Sequence, residues 1–292
     1  MSRTRSLKGP IKVIPFIVVS LIILIIVSSF VFPSISRLKK GSIKKTSFME
    51  YREREWHNTG KKLKVRQIWT PLSRISPYLI KAVLIAEDDK FWTHEGFDLD
   101  AIQKAVEKDF KERKLKFGGS TISQQLAKNL YLTPSKNPLR KLKEAILTWR
   151  LERKLSKRRI LELYLNVAEW GEGIFGIEAA ARHYYGKPAS ALGPEEAARL
   201  ASVLPNPLKY NPLSASGYVA NRSRIIYNIM VKRGIVIPEY EEVMENPRGD
   251  EGQEPPGNQA IEKPDKTNIN NVQEDSAETS AFPATGGTGS GL

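Results

Sequence analysis

Carboxyl side chains occur at two points of this sequence where they could take part in proton transfer or charge stabilisation. The first is Glu87, which ends an apolar helical stripe formed by Ile80, Val83 and Leu84 at i, i+3, i+4 and i+7 spacing. A carboxylate in such a stripe is partly removed from water, which raises its pKa and suits it to act as a general base. The same spacing also fits a buried Glu that is paired for structural reasons.

The second carboxylate is Glu144, which follows Arg140 by four residues and Lys141 by three. On one helix face, Glu144 could hold these two cations in place to bind a pyrophosphate. Alternatively, the ion pairs could only stabilise the helix, by about 0.2–0.5 kcal/mol per pair. The stretch 136–159 contains ten basic and two acidic residues, and such a run is usually a solvated face. Spacing alone leaves both interpretations open.

A loop rich in glycine and hydroxyl groups, GGSTISQQ, opens another helix. Gly119 permits a close backbone approach, and Ser120 or Thr121 can cap the helix. Thr121, Gln125 and Lys128 then form a polar stripe that could hold sugar hydroxyls or a phosphate at the helix N-terminus. As an isolated motif, this loop does not specify a function.

The elements that must position these residues are mainly helices. Helix-start signals occur at Asn137 followed by Pro138, at Ser156 and at Pro194, and Pro205 stops the last of these helices. Three tyrosines of this region are interpreted as core side chains: Tyr164, Tyr184 and Tyr185. The sequence therefore predicts one mostly α-helical domain.

The amino-acid composition limits the kinds of ligand and catalytic group that this chain can use. The chain has 292 residues and a formal net charge of +14. This charge favours binding to phosphate groups, either on nucleic acid or on an anionic membrane. It contains no cysteine, which excludes disulfides, zinc fingers and a thiol nucleophile. Its three histidines are too scattered for a metal site of the HExxH type. No metal-binding residues are predicted.

The predicted organisation has five parts. Residues 13–32 form an uncharged apolar run of 20 positions, long enough for an uncleaved transmembrane helix. Residues 1–12 are placed in the cytoplasm, although basic residues flank both sides of the run. A juxtamembrane linker over 33–60 leads to the folded domain over 61–245. The tail, 246–292, has eight acidic and three basic residues with five prolines and seven glycines, and it is predicted to be disordered.

Taken together, the motifs resemble those of the peptidoglycan glycosyltransferases. EDDKFWTHEG, GGSTISQQ, RKLKE, KRRILELYLN and GIFGIEAAARHYYGKPASALGPEEAARLASVLPNP follow one another in the order of that family's five motifs. The resemblance runs from about residue 79 to 240, and it is specific because the motifs occur together. It is to the monofunctional, biosynthetic type, which lacks a penicillin-binding domain. The SxxK match at 42–45 has no KTG or SDN partner.

The resemblance implies a lysozyme-like, mostly α fold with a head lobe and a membrane-associated jaw lobe, preceded by one transmembrane helix. It implies a single-pass protein of the bacterial cytoplasmic membrane with its catalytic domain on the periplasmic, outer face. The reaction would be polymerisation of lipid II onto a growing glycan strand, with inversion, a β-1,4 link and release of undecaprenyl pyrophosphate. Transpeptidase activity is not expected. Expected partners are the membrane and other cell wall synthesis proteins, and nucleic acid is not among them.

The resemblance also implies roles for individual residues. Glu87 would deprotonate the 4-hydroxyl of the incoming lipid II, and Glu144 would be the second essential carboxylate. Substrate contacts would come from Asp88, Phe91, His94, Gly119, Ser120, Thr121, Gln124, Gln125, Lys128, Arg140, Lys141, Glu162 and Asn166. No resident cofactor is implied, and a divalent cation, Mg²⁺ or Mn²⁺, at the pyrophosphate is left open.

Two alternatives belong to other functional classes. A lytic transglycosylase would share the lysozyme-like fold but would cleave finished glycan, and it would not need the cation cluster. A basic, membrane-tethered module could bind nucleic acid or acidic lipid without catalysis. That module would leave Glu87, Glu144 and the GGSTISQQ loop without a purpose.

Overall fold

A computed structural model describes residues 32–103, 119–134, 137–215 and 217–237, with Phe16, Ser20, Leu24, Val27 and Ser28. The chain divides into two units, 1–245 and 246–292. The second unit, predicted to be a disordered tail, lies outside the described residues, as does most of the predicted membrane span. Within the described residues, no helix is long and apolar enough to cross a membrane.

The architecture is mostly helical, as the sequence predicts. The helices are α1 (Ser47–Asn58), α2 (Pro77–Glu87), α3 (Ile122–Tyr131), α4 (Pro138–Lys154), α5 (Lys157–Val167), α6 (Ile177–Tyr185), α7 (Pro194–Val203) and α8 (Gly217–Lys232). Short 3-10 turns cover Ile35–Lys39, Leu72–Arg74 and Ala189–Ala191. The predicted division into head and jaw lobes stays a prediction.

A small sheet completes the fold. Its strands are β1 (Arg66–Gln67), β2 (Glu169–Gly171) and β3 (Ile174–Phe175), in the order β1-β3-β2. Strand β1 runs parallel to β3, and β2 runs antiparallel to it with Glu169 opposite Phe175. Strands β2 and β3 follow α5 in the sequence. Their pairing therefore fixes the direction in which the chain leaves that helix.

Local capping explains where several helices begin. The Asn137 side chain accepts a hydrogen bond from the backbone N–H of Leu139 at 2.9 Å, with Pro138 as the first residue of α4. The Ser156 hydroxyl accepts from the N–H of Arg159 at 3.3 Å at the start of α5. Each bond satisfies a backbone donor that has no partner inside the helix. The starts predicted at Asn137 and Ser156 are therefore confirmed.

Two groups of helices form the core. Helix α3 packs against α4 and α5, while α2 packs against α7 and α8. Helix α5 is largely buried, and its fully buried side chains include Ile160, Leu161, Leu163 and Leu165. Removal of these apolar surfaces from water is the main stabilising term. The last residue of α2 and the first turns of α3 meet where the two groups adjoin.

Asn166 holds the segment 67–72 against α5. Its side-chain oxygen accepts from the Thr70 N–H at 2.8 Å, and its amide donates to the carbonyls of Thr70 and Glu162, both at 2.8 Å. The Glu162 carboxylate accepts from the Leu72 N–H at 3.0 Å. Both side chains are thus engaged in intramolecular bonds of the scaffold. Their predicted substrate contacts stay predictions.

Two arginines of the basic run hold the segment that follows the apolar run. Arg150 donates to the carbonyl oxygens of Phe32 at 3.1 Å and Pro33 at 2.8 Å. Arg159 donates through Nε to the Leu38 carbonyl at 2.7 Å. Part of the cationic stretch is therefore structural. These bonds fasten 32–38 to α4 and α5.

The predicted linker over 33–60 is part of the folded domain. Ile35, Met49 and Trp56 are buried in the common core, and Met49 and Trp56 lie on α1. The reason is the apolar side chains spaced along 33–60. Their transfer from water into the core is favourable, so the segment packs against the domain. The folded unit therefore begins earlier than the sequence predicts.

An ion pair joins α1 to the sheet. Arg52 donates to Oε2 of Glu169 through Nε at 3.1 Å and through a terminal nitrogen at 2.9 Å. Oε1 of Glu169 is buried and has no hydrogen-bond partner in the described part of the chain. Burial raises the pKa of the Glu169 carboxyl to about 7, although the nearby Arg52 charge opposes the rise.

We expect Asn166→Ala to lower the free energy of unfolding by about 3 kcal/mol, because it leaves buried backbone groups of Thr70 without partners. Denaturant titration measures this. The control, Asn228→Ala, removes an exposed side chain of α8 and should change stability by less than about 0.5 kcal/mol. Unchanged stability in Asn166→Ala combined with lost substrate affinity would contradict the scaffold role.

We expect Glu169→Gln to remove a pH dependence of stability. The folded-state pKa of about 7 lies above the ordinary 4.5, so the folded protein binds more protons between these values. Wild-type stability attributable to this group is therefore present at low pH and is lost as pH rises through about 7. Unfolding free energies of both proteins at several pH values test this. Parallel curves, or the same effect from exposed Glu172→Gln, would contradict it.

Candidate active site

Glu87 is a buried carboxylate in which one oxygen accepts a hydrogen bond and the other accepts none from the described residues. It is the last residue of α2, and 11% of its side chain is exposed. Oε2 accepts a hydrogen bond from Gln125 Nε2 at 2.8 Å, whereas Oε1 has no hydrogen-bond partner among the described residues. Burial raises the pKa of Glu87, and the Gln125 bond and the charges of Arg222 and Lys128 partly oppose this. Because Oε1 accepts no hydrogen bond from the described residues, it can take a proton.

Tyr164 sets the orientation of the Gln125 amide. The Tyr164 hydroxyl donates to Gln125 Oε1 at 3.1 Å, which directs the amide nitrogen towards Glu87. Burial raises the pKa of Tyr164 well above its ordinary value, so the hydroxyl keeps its proton. The sequence interpretation of Tyr164 as a core aromatic holds for its burial but misses this bond, which no spacing pattern indicates.

Asp88 and His94 fix the start of α3 beside Glu87. Asp88 accepts from the backbone N–H of Ile122 at 2.9 Å and contacts His94 Nε2 at 2.9 Å. His94 Nδ1 accepts from the Gly96 N–H at 3.0 Å, so Nε2 carries the ring hydrogen and donates to Asp88. A carboxylate at a helix N-terminus is favourable. These two residues therefore align α3 with the end of α2.

Thr121 and Gln124 form a reciprocal cap at the same helix start. The Thr121 N–H donates to Gln124 Oε1 at 2.9 Å, and the Gln124 N–H donates to the Thr121 hydroxyl oxygen at 3.2 Å. The Thr121 hydroxyl donates to the Gly96 carbonyl at 2.7 Å. Both side chains are buried. The predicted cap is confirmed, and any contact of these residues with substrate stays a prediction.

The remaining residues predicted near this loop differ in exposure. Phe91 is fully buried, with the Lys157 ammonium 4.6 Å from its ring centre. A Cβ at Gly119 would lie 3.4 Å from the Ala101 carbonyl oxygen, an ordinary van der Waals contact with the backbone. Ser120 is exposed. Of this set, Ser120 has a side chain that a ligand could reach directly.

Glu144 gathers two cations at the beginning of α4. It is 3% exposed, and its Oε2 accepts from Arg140 at 3.1 Å. Its Oε1 accepts from the Lys141 ammonium. Since each carboxylate oxygen bonds a cation, Glu144 orders Arg140 and Lys141 in a fixed arrangement. The spacing prediction of a carboxylate contacting both residues is confirmed.

Lys128 is a partly buried cation whose ammonium has no ion-pair partner among the described residues. That ammonium makes no hydrogen bond with them either, and the side chain lines a cleft. Burial lowers the pKa of Lys128, the Glu144 charge opposes this, and Arg140 and Lys141 lower the pKa further. A phosphate bound here would supply the missing negative charge.

These groups share a cleft of about 610 Å³. Gln125, Lys128, Arg140 and Tyr164 line it, and Arg52, Glu169 and the segment 204–208 also contribute. Glu87 contacts the cleft through Gln125. Sequence reasoning missed Arg52 and Glu169, since Arg52 lies in the expected linker and Glu169 has no motif spacing to mark it.

Arg222 of α8 is a further group that sequence reasoning missed. Its guanidinium donates to the Ala86 carbonyl at 3.1 Å and lies 3.8 Å from Glu87 Oε1. The sequence holds no signal for this contact, because 136 positions separate Arg222 from Ala86. The described residues contain no group of three or more His, Asp or Glu side chains that could hold a metal.

Comparison with known proteins agrees with the site. The family model described as Transglycosylase matches residues 54–231. A protein of Nitrosospira multiformis named biosynthetic peptidoglycan transglycosylase is 50% identical over 190 residues, covering 65% of this chain and 83% of its own.

Two further proteins have the same name. The one from an Azoarcus species is 54% identical over 180 residues, covering 62% of this chain and 78% of its own. The one from a Janthinobacterium species is 44% identical over 214 residues, covering 73% and 93%. Since the family model spans more than half of the chain and these relatives align over most of their length, the chain belongs to the transglycosylase family.

Proposed function

We propose that this transglycosylase polymerises peptidoglycan: it joins lipid II to a growing glycan strand through a β-1,4 link and releases undecaprenyl pyrophosphate. One observation carries the proposal. Glu87, a buried carboxylate whose Oε1 accepts no hydrogen bond from the described residues, is bonded to the cleft residue Gln125, and the same cleft contains the Lys128 ammonium, which has no ion-pair partner among those residues, beside Arg140. A base bonded to a residue of the cleft, together with an anion-binding group that lines the same cleft, suits displacement of a pyrophosphate by a hydroxyl.

The proposed step is an in-line displacement at the anomeric carbon. Glu87 Oε1 takes the proton of the acceptor 4-hydroxyl, and the hydroxyl oxygen forms the new bond to the anomeric carbon. The bond from that carbon to the pyrophosphate oxygen breaks on the opposite face, so the configuration inverts. The electron pair leaves with the pyrophosphate. Burial favours proton uptake by Glu87, which the Gln125 bond keeps in position.

The cations stabilise the leaving group in this proposal. Lys128, Arg140 and Lys141 would meet the charge that develops on the pyrophosphate, and Glu144 holds two of them in place before substrate arrives. A sugar leaving group would need a protonated acid at this position, whereas a pyrophosphate does not. The cluster therefore supports synthesis over cleavage of finished glycan.

The location and further partners form part of the same proposal. The apolar run 13–32 would anchor the protein in the bacterial cytoplasmic membrane, with the catalytic domain on the outer face and other cell wall synthesis proteins nearby. Arg150 ties the end of that run to the domain, so an anchor formed by the run would hold the domain beside the membrane. No resident cofactor is proposed. A divalent cation, if the reaction uses one, would enter with the pyrophosphate.

We expect Glu87→Gln to abolish glycan polymerisation, because the amide can accept the Gln125 bond but cannot take the proton. Its thermal stability should equal or exceed that of wild type, since an ionisable group leaves a buried position. Size separation of products from fluorescent lipid II measures activity. The control, Glu95→Gln, changes an exposed carboxylate and should polymerise normally. Polymer from Glu87→Gln would reject Glu87 as the base.

We expect Lys128→Ala to lower kcat about 100-fold, which is the typical loss when one preorganised charge-stabilising donor is removed. KM should change less, if the cation acts mainly on the leaving group. Lys128 is a sharper choice than Arg140, because Arg140→Ala would also remove a partner of the buried Glu144. The control is exposed Lys81→Ala on α2. An unchanged kcat in Lys128→Ala would contradict the assignment.

A further inference from the structure

One buried carboxylate, Glu152, lies where several elements that carry site residues meet. It is near the C-terminal end of α4, and 8% of its side chain is exposed. Its Oε1 accepts a hydrogen bond from the hydroxyl of Ser123, which is on the first turn of α3. The same oxygen accepts from the ammonium of Lys157, the first residue of α5, at 2.8 Å. Glu152 therefore joins α3, α4 and α5.

Lys157 extends this junction to the loop 88–96, which follows Glu87. Its ammonium lies 4.6 Å from the centre of the Phe91 ring, within the range of a cation–π contact. Phe91 is fully buried, and its N–H donates to the Asp88 carbonyl at 3.1 Å. The contact between Lys157 and Phe91 thus fastens the chain beside the base to the start of α5.

The other end of the loop 88–96 packs directly on α4. Gly96 has a φ of +92°, a left-handed value that favours glycine. A Cβ at this position would lie 2.9 Å from Thr148 Cγ2 and 3.0 Å from Glu152 Cγ, so a side chain would push the loop away from α4. The Gly96 carbonyl accepts from the Thr121 hydroxyl at 2.7 Å. The loop is therefore held between α4 and the start of α3.

Helix α4 connects this junction to the cation cluster. Glu144, Thr148 and Glu152 follow one another at intervals of four residues, which places neighbouring members on the same side of the helix. Glu144 holds Arg140 and Lys141. A helix rises about 1.5 Å per residue, which separates the two carboxylates by about 12 Å along its axis. Helix α4 is thus a spacer of fixed length between the cations and the loop that follows the base.

We propose that Glu152 and Lys157 are positioning residues for the reaction: they fix the distance between the Glu87 carboxylate and the cations that receive the pyrophosphate, by locking α4 to the loop 88–96. The inference rests on the proposed function, and it concerns two residues to which the family resemblance assigns no role. Neither is among the residues that line the cleft. They act through the groups that they hold in place.

The distance between base and cations matters because both act in the same step. The acceptor proton moves to Glu87 while negative charge develops on the pyrophosphate, so both groups must be in place at the same moment. A misplacement of about 1 Å can lower a rate about 100-fold. The pair of Glu152 and Lys157 resists such movement, because its side chains are only 8% and 21% exposed and solvent ions screen it little.

The first test measures kcat and KM of Lys157→Met per folded protein, with fluorescent lipid II as substrate. We expect kcat to fall about tenfold or more while KM changes less than about threefold, because each half of the site stays intact and only their relative placement changes. Lys157→Arg should restore most of the activity, since a guanidinium can bond Glu152 and stack on Phe91. The matched control, Lys154→Met, removes an exposed lysine of the last turn of α4 and should leave kcat unchanged.

A double variant separates positioning from a general loss of structure. If Lys157 helps to place the cations relative to the base, Lys157→Met should reduce kcat by a smaller factor in Lys128→Ala than in wild type, because one positioned cation is already absent. A loss of folded protein would reduce kcat by the same factor in both. An equal factor would overturn the inference, as would a wild-type kcat in Lys157→Met. If Lys157→Met does not fold, Ser123→Ala replaces it in both comparisons, since it removes the α3 bond to Glu152 with little change in volume.

Hydrogen exchange in the absence of substrate tests the anchoring independently of activity. The N–H groups of Gly96 and Ile122 donate to side chains of the loop 88–96. Both should exchange faster in Lys157→Met, while the amides of α8 keep their wild-type rates. Unchanged exchange at these two positions would overturn the inference, and the proposed function would stand if Glu87→Gln were inactive. Polymer from Glu87→Gln would instead reject the proposed base and leave the anchoring of the loop standing.

Discussion

The hydrogen bond between Gln125 and Glu87 joins the two helix groups of the domain at the point where chemistry is proposed. Glu87 ends α2, which packs against α7 and α8, whereas Gln125 lies on α3, which packs against α4 and α5. A buried carboxylate is costly unless hydrogen bonds and charges compensate. Asp88, His94 and the Thr121 cap align the two helix groups. This alignment brings the Gln125 amide within hydrogen-bond distance of Glu87, and the bond offsets part of the cost of burying the carboxylate.

The basic residues of this highly positive chain have different structural roles. Arg140 and Lys141 are held by Glu144, and Lys128 lines the cleft without a paired anion among the described residues. Arg150 and Arg159 instead hold the segment 32–38 to the domain. A run of cations in sequence is therefore not one surface, because helix geometry directs successive side chains to different sides. The part proposed to bind the pyrophosphate is the subset near the buried carboxylate of Glu144.

The cleft also depends on elements outside the motifs. Helix α1 contributes Arg52, which pairs with Glu169 of β2, and both line the cleft with the segment 204–208. Helix α8 contributes Arg222 beside Glu87. The site is thus closed by segments from both ends of the described domain. A change at either end can alter the charge balance of the cleft without touching a motif residue.

The sequence by itself determined the helical class, the capped starts at Asn137 and Ser156, the contact of Glu144 with Arg140 and Lys141, and the resemblance to the family. These depend on residues at most four positions apart or on motifs read in order. Only the tertiary structure decided that Tyr164 orients Gln125 and that Asn166 holds Thr70, across 39 and 96 positions. It also placed Arg222 at Glu87. Spacing rules describe neighbours within one element, whereas these contacts arise from the packing of distant elements in a common core.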